Sequence, residues 1–319
     1  MAKRHHPRHG SMQFWPRKRA KRIYPRIKTW PEVVGTKLLG FAGYKAGMTQ
    51  IRLRDNSESA TKGQIISVPV TILECPPLKP LSLRFYKQTD DGLKLFSEIS
   101  TSQETNKELS RKTNLSKKKK QERVKGTVSI LPDKYDKVTL QVYTQPKLVS
   151  LKKKPEIFEI AFSKDVTPEF LKESLEKEIK ASDVFKEGQF VDAVAVTIGK
   201  GFQGPVKRFG VSLRAKKSEK TKRGAGSLGP WNQQQHTMYR IAHAGQTGYH
   251  IRTEYNKLLL KISSKPEEIN PVEGIQKYGL VKLDYLLLQG SIAGPKKRLI
   301  RLREPVRANS PGLTQEVIQ

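Results

Sequence analysis

Ile65-Ile66-Ser67-Val68-Pro69-Val70-Thr71-Ile72 decides the fold class, because its apolar residues recur at every second position. Ile66, Val68, Val70 and Ile72 share one face, the period of a half-buried β-strand rather than a helix. Val191–Ile198 repeats the pattern, with Val194, Val196 and Ile198 facing one way and Ala193, Ala195 and Thr197 the other. Val138, Leu140 and Val142 alternate in the same manner, and strand signals begin near Lys37. Further strands are predicted at Leu280–Leu283, Tyr285–Gln289 and Lys297–Arg303. One helix stands out, opening at Thr167-Pro168-Glu169. There Thr suits the cap, Pro the first helical position, and Glu the positive end of the dipole. Leu171, Leu175 and Ile179 form its apolar stripe. The chain therefore reads as mainly β with an α+β stretch in the middle. A twisted barrel or sandwich assembled from distant strands fits this order.

The 319 residues carry 61 Lys and Arg against 30 Asp and Glu, a formal charge of +31. Hydrophobic residues make up 36%, enough for a core but not for a chain that is core throughout. The longest apolar runs, Ala193–Val196 and Tyr285–Leu288, fall far below the roughly 20 residues of a bilayer span. The first residues lack the apolar stretch of a secretory signal, so a cytoplasmic location is expected. A lone cysteine, Cys75, excludes a disulfide framework and reads as a small buried residue. The charge is segregated. Residues 1–31 hold ten bases and no acid, 107–125 nine against two, and 200–261 thirteen against two. Residues 155–192 hold ten acids and five bases. Blocks of like charge repel unless a polyanion neutralises them, so a nucleic acid is the expected partner.

Residues 1–30 read as an arm, with Pro7, Pro16 and Pro25 suppressing helix. Trp15 and Tyr24 within it are open to two uses, stacking on bases or packing on the core. Gly199-Lys200-Gly201-Phe202-Gln203-Gly204 follows a strand and matches a dinucleotide fingerprint, but no amphipathic helix is predicted after Pro205. A hairpin-like exit into a long basic loop is the better reading. His236, His243 and His250 recur every seven residues, yet Gly245 and Gly248 argue against one rigid face, so no metal is assigned. Asp90-Asp91 beside Gly92 reads as a turn. No catalytic constellation emerges and no cofactor is implied.

The stretch from 199 to 256 combines cations with glycine, amides, histidine and Trp231. Cations suit phosphate, glycines allow close backbone approach, and flat side chains meet unstacked bases. Two other readings compete, an RNA-modifying enzyme with basic docking arms and a DNA-compacting protein.

At this loop the chain resembles a known family. Gly-Lys-Gly-Phe-Gln-Gly at 199–204, Gly-Ser-Leu-Gly-x-Trp at 226–231 and Ala-Gly-Gln-x-Gly-Tyr-His-x-Arg-Thr-Glu-x-Asn-Lys at 244–257 carry the likeness. So do Pro-Arg-His-Gly-Ser at 7–11, Pro-Arg-Lys-Arg-Ala-Lys-Arg at 16–22, Gly-Tyr-Lys-Ala-Gly-Met-Thr at 43–49 and Gly-Pro-Lys-Lys-Arg at 294–298. Together they resemble universal ribosomal protein three of the large subunit, in its archaeal form. The resemblance implies a six-stranded translation-protein-type barrel with an α+β insertion, a basic N-terminal arm and a long basic internal loop. The implied parts are an N-terminal extension at 1–35, a barrel from 36–76, 186–204 and 250–303, and an insertion at 77–185. The loop is then 205–249, and a loosely held tail occupies 304–319.

It also implies a non-enzymatic constituent of the large subunit that binds rRNA near its 3′ end and joins early in assembly. Neighbouring ribosomal proteins are further partners, with no membrane and no DNA. The loop tip, Gly229, Pro230 and Trp231, approaches the peptidyl-transferase centre and influences aminoacyl-tRNA entry at the A site. Expected rRNA contacts from the arm are Arg4, Arg8, His9, Arg17, Lys18, Arg19, Lys21 and Arg22. From the loop and its flanks they are Lys200, Lys207, Arg208, Arg214, Lys216, Lys217, Lys222, Arg223, Gly226, Trp231, Asn232, Gln233, His236, Arg240, His243, Gln246, His250 and Arg252. Lys45, Lys296, Lys297 and Arg298 complete the set from the barrel. Lys222 stands where eukaryotic members carry a histidine, so no role of that histidine is transferred. Residues 101–125 depart from the family pattern, and no rRNA contact is transferred to them.

Overall fold

The computed structural model describes residues 14–56, 59–100, 107–113, 132, 135–217, 221–228, 241–307 and the backbone of 316–318. It is mainly β. Thirteen strands are seen among the described residues: β1 (Gly40–Arg54), β2 (Ile65–Glu74), β3 (Lys79–Thr89), β4 (Gly92–Ser100), β5 (Lys137–Tyr143), β6 (Ile157–Ala161), β7 (Phe190–Val196), β8 (Phe202–Gln203), β9 (Gly245–Gln246), β10 (Ile251–Ser263), β11 (Tyr285–Gln289), β12 (Leu299–Arg303) and β13 (Glu316–Ile318). Two helices accompany them, α1 (Pro168–Glu176) and α2 (Pro205–Phe209). The chain divides into two compact units. The larger comprises Tyr24–Ala195 and Thr253–Gln319, the smaller Met1–Ile23 and Val196–Arg252.

The main sheet runs in the order β12-β7-β10-β11-β2-β1-β13, and β12 also pairs with β1. β1 is long enough to serve several neighbours. Gly40–Tyr44 pair with Leu299–Arg303 on one edge, while β2 follows the other edge from Tyr44 to Arg54. A second sheet, β4-β3-β5-β6, is built from residues between Lys79 and Ala161. The two sheets share one hydrophobic cluster, in which Phe41 and Leu302 meet Phe85, Leu140, Ile160 and the α1 leucine Leu171. A buried polar link joins them as well. The Tyr44 hydroxyl lies 2.9 Å from Glu156 Oε2 and 3.0 Å from Thr144 Oγ1.

The alternation in β2 is real, since Val68, Val70 and Ile72 enter a second cluster with Leu258, Leu260 and Leu287. β7 differs from expectation. Val191 to Val196 are buried on both faces, whereas Ile198 is exposed. The Val/Ala alternation there is one of size, not of inside and outside. Asp192, fully buried in this strand, accepts from Arg303 Nε at 3.2 Å and Nη2 at 3.1 Å, and from the amides of Asn256 and Val306.

Four expectations need correction. Leu280–Leu283 is not a strand, because its amides are engaged by side chains instead of a ladder. The buried carboxylate of Glu74 accepts from Lys282 N at 2.7 Å and Leu283 N at 3.1 Å, and Asn270 brackets Val281 with two bonds. The strand predicted from Lys297 starts at Leu299, since Lys297 has φ 69° and Arg298 N closes a turn onto Pro295 O. The α1 stripe outlasts its helix. Thr167 Oγ1 caps the Phe170 amide, but α1 ends at Glu176, and Ile179 is buried through a two-bond bridge to Leu78. The tail is not loose throughout either, for Glu316–Ile318 pair with Arg52–Arg54. Beyond Tyr44 that edge of β1 is not covered by β12, and an open strand edge is a template for further pairing.

Candidate nucleic-acid interface

The smaller unit is organised by a ladder between residues 197–203 and 245–250. Thr197 N donates to His250 O, Tyr249 N to Ile198 O, Lys200 N to Thr247 O and Thr247 N to Gly201 O. β8 and β9 complete it with Phe202 opposite Gln246 and Gln203 opposite Gly245. Gly248 is required in this ladder. Its φ is +73°, and a Cβ there would lie 2.0 Å from the Ile198 carbonyl oxygen. A short helix, α2, does open at Pro205, contrary to expectation, and closes on the left-handed Gly210. Its five residues lie outside any βαβ unit and provide no dinucleotide-binding helix.

The arm residues 14–20 lie along this framework. Ala20 N donates to Tyr249 O at 2.8 Å, and the His250 ring donates from Nδ1 to Lys18 O at 2.8 Å. Trp15 stacks on Phe209 with centroids 5.7 Å apart. The Arg17 guanidinium sits 4.3 Å above the Phe209 ring and donates to Arg208 O at 2.7 Å. Arg208 in turn donates to His243 O and Gln246 O, and Gly245 leaves the room, since a Cβ there would approach the guanidinium to 3.0 Å. Arg252 lies over Phe14 at 4.7 Å, and Arg19 over Tyr249 at 5.4 Å.

Guanidiniums are thus stacked on aromatic faces with no carboxylate among them. The described part of this unit holds fourteen Lys and Arg and no Asp or Glu. Burial lowers the pKa of Arg17, and the nearby charges of Arg208 and Arg252 lower it further. Burial acts likewise on Arg208 and Arg252. A site that gathers like charges against their own repulsion is matched to an external anion. Lys18, Arg19, Lys21, Arg22, Lys200, Lys207, Lys216, Lys217, Lys222 and Arg223 are exposed for it. Phe202, 77% exposed, adds a flat apolar face to this surface.

His250 acts from beneath. Burial holds its imidazole below the usual histidine range, and Arg252, Arg17 and Arg208 press the same way against the opposing bond to Lys18 O. The neutral ring is the folded form, so its stabilisation is complete above the ordinary value of 6.5 and is lost as pH falls through the lower folded value. Acidifying from pH 7.5 to 5 should therefore lower the unfolding midpoint. His250→Gln, which keeps a donor but does not titrate, should remove that part of the pH dependence. Parallel pH profiles of the two proteins would contradict this role.

Other expected residues lie elsewhere. Lys45 is buried, donating to Ile292 O at 2.5 Å and Gly294 O at 3.3 Å, and desolvation lowers its pKa. It belongs to the larger unit with Lys296, which donates to Gln276 O, and with Lys297 and Arg298. Arg214 and Gln246 are half-buried, and Gly226 is exposed with φ +80°. Arg4, Arg8, His9, Gly229, Pro230, Trp231, Asn232, Gln233, His236 and Arg240 lie outside the described residues. Cys75 is buried, and Tyr24 packs in the core of the larger unit. Among the described residues no His, Cys, Asp or Glu group is arranged to hold a metal, and no helix is long and apolar enough to cross a membrane. Sequence reasoning missed Phe202, Phe209 and Tyr249 as aromatic members of the site. Their signal was adjacency to glycine, at Gly201, Gly210 and Gly248.

The family model for ribosomal protein L3 matches residues 1–319. The chain belongs to that family. It is 46% identical to large ribosomal subunit protein uL3 of Methanobrevibacter smithii over 319 residues, covering 97% of this chain and 94% of the relative. The uL3 protein of Methanothermobacter thermautotrophicus is 46% identical, with the same coverage of 97% and 94%. That of Archaeoglobus fulgidus is 45% identical over 96% of this chain and 93% of its own. As a member of the family the chain is a structural constituent of the large ribosomal subunit in the cytoplasm, and not an enzyme.

Proposed function

We propose that the chain binds large-subunit rRNA through the smaller unit, near the 3′ end of that RNA, and does so early in subunit assembly. One observation carries the RNA contact: fourteen cations, guanidiniums stacked on aromatic rings among them, with no carboxylate among the described residues of the same unit. Phosphate neutralises such a cluster, and exposed rings such as Phe202 suit unstacked bases. The place on the RNA and the early timing rest on the family resemblance. The ring of pairings β1-β2-β11-β10-β7-β12 is taken as the six-stranded translation-protein-type barrel, with 77–185 inserted and 1–35 and 205–249 as its RNA-directed extensions. Neighbouring large-subunit proteins are expected at the remaining surface. Sedimentation of a cell lysate tests the reading. The chain should travel with the large subunit through a moderate-salt wash, and its release to the top of the gradient would sink the proposal.

The tip Gly229-Pro230-Trp231 is proposed to approach the peptidyl-transferase centre and to influence A-site tRNA entry without contributing chemistry. Trp231→Ala should then leave subunit assembly largely intact while slowing aminoacyl-tRNA accommodation. Failed assembly with normal tRNA kinetics in the surviving particles would assign Trp231 to packing instead.

A further inference from the structure

The larger unit carries a second set of clustered cations, in which Lys112 and Lys152 lie outside the motifs that link the chain to its family and Arg298 ends one of them. The segment Lys147-Leu-Val-Ser-Leu-Lys152-Lys153-Lys154 forms a compact loop, closed by Ser150 N to Lys147 O at 2.9 Å and Leu151 N to Pro146 O at 3.1 Å. Val149 is buried beneath it, and Lys282 Nζ reaches Ser150 Oγ at 3.0 Å. Lys147 is paired to Glu108 at 2.9 Å, across to the segment 107–113, where Leu109 is buried. Lys152 is paired to Glu156 and lies 6.0 Å from the centroid of the Tyr44 ring. Glu108 and Glu156 are thus engaged from within this surface. Lys112, Lys153 and Lys154 remain exposed on it.

Three chain segments distant in sequence bring their charges together here. Lys112 and Arg298 both stand close enough to Lys152 to oppose its protonation, and with burial as the leading cause they bring its pKa down to about 8. Arg298 comes from the loop at 294–298, which is pinned to β1 by Lys45 N to Arg298 O and Lys297 N to Lys45 O. Both loops hold a side-chain-bearing residue in the left-handed region, Ser150 at φ 59° and Lys297 at φ 69°. Such residues persist only where the surroundings dictate the conformation, and they concentrate at functional sites.

Resting on the proposed rRNA-binding function, we infer that Lys112, Lys152 and Arg298 form a second RNA-phosphate site on the larger unit. A nucleic-acid backbone fits better than an acidic protein surface, because the cations converge on one spot and pack against a loop that offers few exposed apolar side chains. The inference gives the start of the basic 107–125 stretch a role that the family motifs do not.

The test labels the free chain and its complex with large-subunit rRNA using an amine-reactive ester at pH 8, with peptide mass readout. Lys112 and Lys152 should be protected several-fold by rRNA, while Lys172, on α1 between Glu169, Glu173 and Glu176, should not. In a second arm, Lys112→Glu should lower rRNA affinity and reduce the slope of log affinity against log salt by about 1 or more, with an unchanged unfolding midpoint. Steep rRNA binding with neither protection nor a slope change would overturn this site and leave the smaller unit's role standing. Protection that appears only in whole subunits, and not with rRNA alone, would assign the surface to a protein neighbour and overturn it too. Absence of rRNA binding altogether would defeat both readings.

Discussion

A chain with Lys18, Arg19, Lys200 and Lys207 all replaced by alanine is expected to bind large-subunit rRNA on the order of 10³-fold more weakly at 0.1 M salt. Each phosphate neutralised adds about 0.7 to 0.9 to the dependence of log affinity on log salt, depending on strandedness. Four contacts give roughly 3 to 3.6, which between 1 M and 0.1 M salt amounts to about three orders of magnitude. These four side chains are exposed, so their loss should not disturb the fold. Lys18 holds His250 through its carbonyl, which alanine retains. The unfolding midpoint should therefore fall by no more than the stacking of Arg19 on Tyr249 contributes, about 0.5–1 kcal/mol at an exposed site. Affinity reduced less than tenfold would show that RNA is held elsewhere.

The largest expected effect on stability is in the other unit. Asp192→Ala removes the carboxylate that binds Arg303 through two nitrogens and caps the amides of Asn256 and Val306. Arg303 is itself 5% exposed, so its guanidinium would lose its ionic partner inside the protein. Breaking one side of a buried ion pair costs about 3–5 kcal/mol. Denaturant unfolding should show that loss as a lower midpoint. Arg303 keeps a bond to Thr29 O and lies 5.9 Å from the Tyr255 ring centroid, so partial rescue is expected from Asp192→Asn, which restores an acceptor without the charge. A change below about 1 kcal/mol for Asp192→Ala would mean that solvent reaches the site.

The strands that the sequence reveals are those with one wet and one dry side, such as β2. β7 keeps the same alternation of letters while both faces are buried, and only the neighbours on each side distinguish the two cases. Leu280–Leu283 has strand-like residues, but Asn270 claims the amide of Val281, and Glu74 claims those of Lys282 and Leu283 from far along the chain, which no local pattern records. The pairing of Glu316–Ile318 with β1 is hidden for a related reason, since it depends on an edge left open by another strand.

The candidate site shows a similar division. Its cations and glycines are visible as composition and motif. Their arrangement is not, because Arg17 meets Phe209 and His250 meets Lys18 across separations of about two hundred residues. Lys45 has the composition of a phosphate contact but turns its ammonium inward, onto the carbonyls of Ile292 and Gly294. Charge alone could not separate it from Lys200.

A salt titration of the whole chain on large-subunit rRNA tests the central claim most directly. Affinity should fall by about 10³-fold or more between 50 mM and 200 mM salt, as expected when many phosphates are neutralised together. A loss of less than about tenfold over that range would contradict a binding surface made of clustered cations.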